Sequence, residues 1–333
     1  MSNKNEQPVL ELKNVSVGYE SVRGTVRAVR DVSLKIYRNE IVGLIGESGS
    51  GKSTLSNAIM NLLKNSATLL GGEIIVMGQD VYSLNKRDLR KFRWNKMSMV
   101  FQSAMNALNP VLTVEEQIAD VFREHMPNMT KKGIHDKAVE LMELVSIDPK
   151  HLKSYPHELS GGMRQRIVIA IAIALEPDLV IMDEPTTALD VVVQKSILDK
   201  IKELQRKKGF AVLFISHDFS LVAELAEKVA IMYAGRLVEV TKAEDLNLSK
   251  RHHPYTEGLL RAIPELTAET VKIEGIPGNP PDLINLPTGC AYNPRCKYAM
   301  ESCKTIHPVE QDLDGRLIAC HLYNEDFVTK AVR

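Results

Sequence analysis

Residues 46 to 54 read GESGSGKST, with glycines at 46, 49 and 51 set among serines and closing on Lys52, Ser53 and Thr54. The run fits G-x-x-x-x-G-K-[ST], a spacing in which small residues let successive backbone N–H groups turn inward around a phosphate chain. Gly46, Ser48, Gly49, Ser50 and Gly51 would form the cradle, and Lys52 would meet the outer phosphates. Ser53 and Thr54 would open a helix whose positive end faces the anion, with the Ser53 hydroxyl on a magnesium ion.

A second constellation, LVIMDEP at 179 to 185, carries Asp183 and Glu184 at the end of an apolar run. A buried strand delivers such acids to its carboxyl edge, where α/β folds place ligands. Asp183 would hold the magnesium, directly or through water, and Glu184 would polarise an attacking water, since phosphoryl transfer asks for alignment and charge neutralisation. An acid pair buried without a cation would be costly, and the ion removes that objection. A third stretch, LSGGMRQR at 159 to 166, stands just before the apolar run IVIAIAIAL. Its Ser160, Gly161 and Gly162 leave a hydroxyl and amides at a helix N-terminus, which makes a second anion site in the same chain.

These groups need an α/β frame. IVGLI (41 to 45), LVIMD and AVLFIS (211 to 216) are continuously apolar, as strands covered on both faces of a parallel sheet are. After the first, KSTLSNAIMNLL puts Leu55, Ile59 and Leu62 on one helical face, giving strand, glycine turn and helix. Residues 114 to 175 read as mostly helical, through VEEQIADVF, then KAVELMELV with Ala138, Leu141, Met142 and Val145 aligned, then 163 to 175. The basic run NKRDLRKFRWNK (85 to 96) alternates with apolar residues at helical spacing and reads as a solvated helix rather than a nucleic-acid patch. Lys plus Arg and Asp plus Glu both number 42, so no global field attracts nucleic acid or an anionic membrane. The start, MSNKNEQPVL, lacks a basic segment and an apolar core, and the chain is expected in the cytoplasm. IVIAIAIAL is about half the roughly 20 apolar residues that cross a bilayer, so any membrane role runs through partners.

With its glycine loop, its acidic strand and LSGGMRQR placed between them, the chain resembles the ATP-binding cassette (ABC) family. The resemblance implies a RecA-like α/β core with an N-terminal antiparallel β part and a helical subdomain over about 104 to 176. It also implies a head-to-tail dimer, in which Ser160 and Gly162 contact the γ-phosphate held by the partner's glycine loop. Further positions fall in the family's order: Gln102 in VFQS as the magnesium-sensing loop glutamine, Asp190 in TTALD as the residue that communicates across the dimer, His217 in FISHD as the switch histidine, and Tyr19 in VSVGYE as the adenine-stacking aromatic. Met163 stands where many cassettes carry glutamine, as in peptide-transporter members. The cassette is expected over 1 to 250 and a small loop-rich extension over 251 to 333.

That extension holds eight of the 15 prolines and all four cysteines, Cys290, Cys296, Cys303 and Cys320. The spacing Cys-x5-Cys-x6-Cys-x16-Cys contains no Cys-x2-Cys pair, so it is neither a zinc ribbon nor the bacterial ferredoxin run. On spacing alone a four-thiolate site for zinc or an iron–sulfur cluster, free structural thiols and two disulfides all stay open. Cytoplasmic redox poise weighs against the disulfides, and a region poor in core favours a metal. HHPYTEGLLRAIPEL (252 to 266) and GCAYNPRCKYAMESC (289 to 303) resemble the C-terminal region of ATP-binding subunits of dipeptide and oligopeptide transporters. That resemblance implies an ATPase driving a peptide importer. Its partners would be two membrane-spanning permeases, a second and related cassette, and, indirectly, an external peptide-binding protein. It would sit on the cytoplasmic face of the membrane, with no nucleic-acid partner. It also implies a 4Fe-4S cluster on the four cysteines, beside ATP and magnesium; its role is open between structural and redox-sensing, and the lack of any suggested flavin or second electron carrier favours the structural one. A different class of reading is an iron–sulfur, redox-responsive regulatory ATPase not tied to transport.

Overall fold

A computed structural model describes residues 7–22, 24–102, 107–186, 189–249, 251–262 and 275–324. Ser103 of VFQS, the first three helical-subdomain positions (104 to 106), Thr187 and Ala188 of TTALD, and the last residues of HHPYTEGLLRAIPEL lie outside the described residues.

In chain order the elements begin with β1 (Leu10–Ser21), β2 (Gly24–Ile36), β3 (Ile41–Ile45), α1 (Lys52–Ile59), β4 (Ala67–Val76), β5 (Gln79–Asp80), α2 (Lys86–Asn95) and β6 (Met97–Val100). There follow α3 (Val114–His125), α4 (Lys131–Leu144), α5 (Gly161–Ala172), β7 (Leu179–Asp183), α6 (Val191–Lys208), β8 (Ala211–Ser216) and α7 (Phe219–Leu225). The chain ends through β9 (Lys228–Tyr233), β10 (Arg236–Lys242), α8 (Asp245–Leu248), α9 (Pro254–Arg261), α10 (Glu301–Thr305), β11 (Glu310–Leu313) and β12 (Arg316–Ala319). Among the described residues no helix is long and apolar enough to cross a membrane. Two compact units form, each assembled from separated stretches.

The first unit comprises the described residues of Met1–Glu11, Lys35–Glu40 and Ile75–Phe214. Here β6 and β7 pair in parallel, Met97 opposite Leu179 and Val100 opposite Met182. Every residue of β7 is buried, which is why it reads as an unbroken apolar run. The helices begin where polar caps stand. Thr113 and Glu116 form a reciprocal capping box at α3, worth about 1 kcal/mol, and Thr130 caps α4. Ile134, Ala138, Leu141 and Met142 form the buried stripe of α4. The basic run is α2, helical as expected but broken at Arg93 and Trp94, where the Trp94 indole turns to donate to the Ile171 carbonyl at 3.1 Å.

The second unit comprises the described residues of Leu12–Leu34, Ile41–Ile74 and Ile215–Arg333. One of its sheets runs β2, β1, β4 and the other β11, β12, β10, β9, β3. β3 pairs in parallel with β9, while β9, β10, β12 and β11 pair antiparallel in succession. Two features depart from the sequence expectation. Helix α1 stops at Ile59 because Asn61 takes a left-handed φ of 51°, so Leu62 does not extend its apolar face. The extension is not all loop: β11 and β12 form a hairpin closed by Asp314 and Gly315, with φ of 58° and 82°, and β12 pairs with β10. Two consecutive positive φ values make the mirror-image turn that favours Asp-Gly.

Candidate active site

In the second unit the fully buried β3 feeds directly into the glycine loop. Gly51 ends that loop at φ 106°, and a Cβ there would lie 2.2 Å from the Ala28 carbonyl oxygen, so only glycine fits. Gly51 is the N-cap of α1 and brings no side-chain cap to it. The loop is closed by Ser50 N–H donating to Glu47 O at 3.1 Å and Gly235 N–H donating to Ser50 O at 3.0 Å. Lys52 is buried and its ammonium bridges Gly46 O at 2.6 Å and Glu47 O at 3.0 Å, lying across the loop. Ser48, Gly49 and Ser53 face solvent, and Thr54 pairs its hydroxyl with that of Tyr19 at 3.0 Å. His217 is exposed just beyond β8.

The first unit brings Gln102 and Glu184 together. Asp183 is buried at the end of β7, and the next residue, Glu184, takes a left-handed φ of 48°, sparsely populated for a residue with a side chain. Its carboxylate accepts from the Gln102 amide at 2.9 Å. Ser160 stands at the N-terminus of α5, ahead of Gly161 and Gly162, but its oxygen is already an acceptor for Met163 N–H at 3.3 Å. The hydroxyl proton of Ser160 is not used in that bond. Asp190 caps α6 in the same way, accepting from Val193 N–H at 2.9 Å.

The four cysteines cluster in the second unit as free thiols, Cys303 and Cys320 buried and Cys290 and Cys296 half-buried. Cys290 N–H donates to Cys303 O at 2.8 Å. Burial pushes the Cys290 thiol up to about 11 and Cys320 up to about 12, and raises Cys296; Cys320 is in electrostatic reach of the other three. In donor type the set fits a thiolate-held group. Among the described residues, however, no three His, Cys, Asp or Glu side chains close around a point that would hold a metal ion.

Sequence reading passed over the neighbours of Glu47. Its backbone N–H donates to the hydroxyl of Tyr255 at 2.9 Å, and its carboxylate takes both arms of the Arg295 guanidinium at 2.7 and 3.0 Å. Tyr255 is fully buried in a cluster of tilted and edge-on rings with Tyr233 and Tyr292. The signal was present: HPY and NPR both lie in segments already singled out, but their partner is about 200 residues upstream and no periodicity points to it.

Residues 29–187 match a family model described as ABC transporter, and residues 238–303 match one described as Oligopeptide/dipeptide transporter, C-terminal region. Over 323 residues the chain is 42% identical to the dipeptide transport ATP-binding protein DppD of Bacillus subtilis, covering 96% of each. The chain belongs to the ABC transporter family. It is also 42% identical over 314 residues to the oligopeptide transport ATP-binding protein OppD of Escherichia coli, covering 94% of this chain and 92% of that one. Among solved ABC structures, the dimeric post-hydrolysis cassette MJ0796 with ADP and Pi is 29% identical at a TM-score of 0.63, over 70% of this chain and 98% of that one. CbiO1 from Clostridium perfringens is 25% identical, also at 0.63, over 74% and 92%. These likenesses show the ABC ATPase fold. The C-terminal match takes in Cys290, Cys296 and Cys303 and ends before Cys320.

Proposed function

We propose that this chain is the ATP-hydrolysing, energy-coupling subunit of a peptide importer. The observation that carries the reading is that likeness to dipeptide and oligopeptide transport ATP-binding proteins runs through the tail as well as the cassette, and the cassette alone is shared by the whole family. In this reading Gly46 to Thr54 hold the phosphates and Lys52 moves from its present carbonyl partners to the outer phosphoryl oxygens. Ser53, Gln102 and Asp183 hold magnesium, which when bound neutralises phosphate charge. Glu184 orients the attacking water and takes its proton; the Gln102 hydrogen bond supports a coupling of that carboxylate to the loop that faces the permease. His217 contacts the γ-phosphate and Tyr19 lies against adenine. Ser160, Gly161, Gly162 and Asp190 serve the nucleotide of a second, related cassette. The chain works on the cytoplasmic face with two permeases, and an external peptide-binding protein supplies them. The test is ATP hydrolysis in vesicles holding this chain, its partner cassette and both permeases. Turnover should rise with peptide-loaded binding protein, and a rate indifferent to peptide refutes the importer.

The finer reading is that Cys290, Cys296, Cys303 and Cys320 hold a 4Fe-4S cluster in a structural role. Supporting it are the donor type and the electrostatic proximity of the four thiols. Anaerobic purification should return about four irons and four sulfides per chain. A zinc-bound or metal-free tail with an intact fold refutes it.

A further inference from the structure

Glu47 is an acid inside a loop built to hold a polyanion, and the molecule invests heavily in holding it. The Arg295 side chain is only 5% exposed, and all three of its nitrogens are engaged. Nη1 and Nη2 reach the two Glu47 oxygens, Nε donates to Pro277 O at 2.8 Å, and Nη1 also lies 3.3 Å from the Tyr233 hydroxyl. A fork-to-fork pair of this kind fixes orientation as well as charge. The Glu47 backbone is held separately, by the Tyr255 hydroxyl. Its N–H therefore points away from the cradle, and the Glu47 carbonyl is left to the Lys52 ammonium and Ser50 N–H. Arg295 itself ends a short 3-10 turn, Asn293–Arg295, placed between two thiols. That turn is tied by Asn293 N–H and its side-chain amide to Cys290 O at 3.0 and 2.8 Å, and by Cys296 N–H to Asn293 O at 3.3 Å.

We infer that Arg295 and Tyr255 are positioning residues of the nucleotide site, Arg295 neutralising Glu47 beside the phosphates and Tyr255 fixing the start of the loop, so that the four-cysteine tail supports nucleotide binding. Neither residue touches nucleotide. Each acts through Glu47, and the effect grows with the negative charge of the ligand because an unneutralised Glu47 repels phosphate rather than nucleoside. The inference rests on the ATPase reading above and deepens it.

The test uses the full chain, with fluorescent mant-ATP, mant-ADP and adenosine as probes and MgATP turnover as a second readout. Arg295→Met should weaken MgATP binding at least about tenfold, the factor carried by one lost charged hydrogen bond, with a smaller loss for MgADP and none for adenosine. Adding Glu47→Gln to Arg295→Met should restore MgATP binding to within about threefold of wild type, since the offending charge is gone. Arg295→Lys, which keeps the charge and loses the fork, should fall between wild type and the Met variant. Tyr255→Phe, which removes one oxygen from a buried ring, should raise KM for MgATP several-fold with kcat held. Equal losses for all three ligands, a Lys variant as weak as the Met variant, or no recovery in the double variant overturn the inference and leave the tail a passive cap. If Arg295→Met does not fold, the Lys and Phe variants decide: unchanged KM in Tyr255→Phe overturns it. Wild-type chain that fails to bind MgATP refutes the ATPase reading instead, and does so before any variant is compared.

Discussion

His253 makes the folded protein sensitive to mild acid. It caps α9, with Nδ1 accepting from Tyr255 N–H at 3.1 Å, and it is buried with its ring against Tyr292. Accepting there requires a neutral ring protonated on Nε2. Burial pushes its pKa down to about 3, while a histidine in the unfolded chain titrates near 6.5. Below about 6.5 the unfolded chain binds a proton that the folded chain refuses, so the contribution is complete above that pH and falls steadily as pH drops towards 3. At about 1.4 kcal/mol per pH unit, moving from pH 7 to 5 removes about 2 kcal/mol. His253→Asn retains an oxygen able to cap the helix and has nothing to titrate. Urea unfolding of both chains at pH 7 and 5, followed by tyrosine fluorescence, cancels every other titrating group in the difference. Wild type should lose about 2 kcal/mol more than the variant between the two pH values. Parallel losses would mean that the folded chain protonates this ring, and the assignment of a neutral cap would be wrong.

The pair that seats this turn offers another test. Glu239 is fully buried and accepts from His252 Nδ1 at 2.7 Å and His253 N–H at 2.8 Å, so Glu239→Ala strands two buried donors and should cost roughly 3 kcal/mol in the same unfolding assay. Glu239→Gln keeps one acceptor oxygen and should cost about half as much. Glu184→Gln should bind MgATP as wild type does and lose steady-state hydrolysis, which a phosphate-release assay reads directly; wild-type turnover in that variant refutes its role as base. Lys52→Ala should lose both binding and turnover, and unchanged mant-ATP affinity would refute the phosphate-cradle reading.

The parts of the fold that were legible in advance are those whose cause is local. IVGLI, LVIMD and AVLFIS are strands because both faces are covered, which leaves no polar positions to blur the pattern. Helices α3 and α4 announce themselves through caps and an apolar stripe. Three things escaped for physical reasons. Asn61 ends α1 through a backbone preference that an apolar periodicity does not register. The β11 to β12 hairpin hides in a tail full of prolines, although Asp314 and Gly315 were its visible mark. The grip on Glu47 joins segments 208 and 248 residues apart, and such pairing is decided by packing after the chain has folded, not by any neighbouring residue.

The hairpin has a consequence for solubility. A strand at the margin of a sheet presents unpaired N–H and C=O groups to any other chain that can align with it. β12 occupies that margin on β10, from Glu239 opposite Ile318 to Val240 opposite Leu317. Among the described residues the outermost strand is then β11, four residues long with the acids Glu310 and Asp312 on it, a short and charged border of the kind that discourages further addition. Shortening the chain before residue 309 would remove this border and bare the longer edge of β10 instead, so a cassette trimmed to its catalytic residues would be a sticky protein. The last stretch of the tail keeps the sheet from growing into its neighbours.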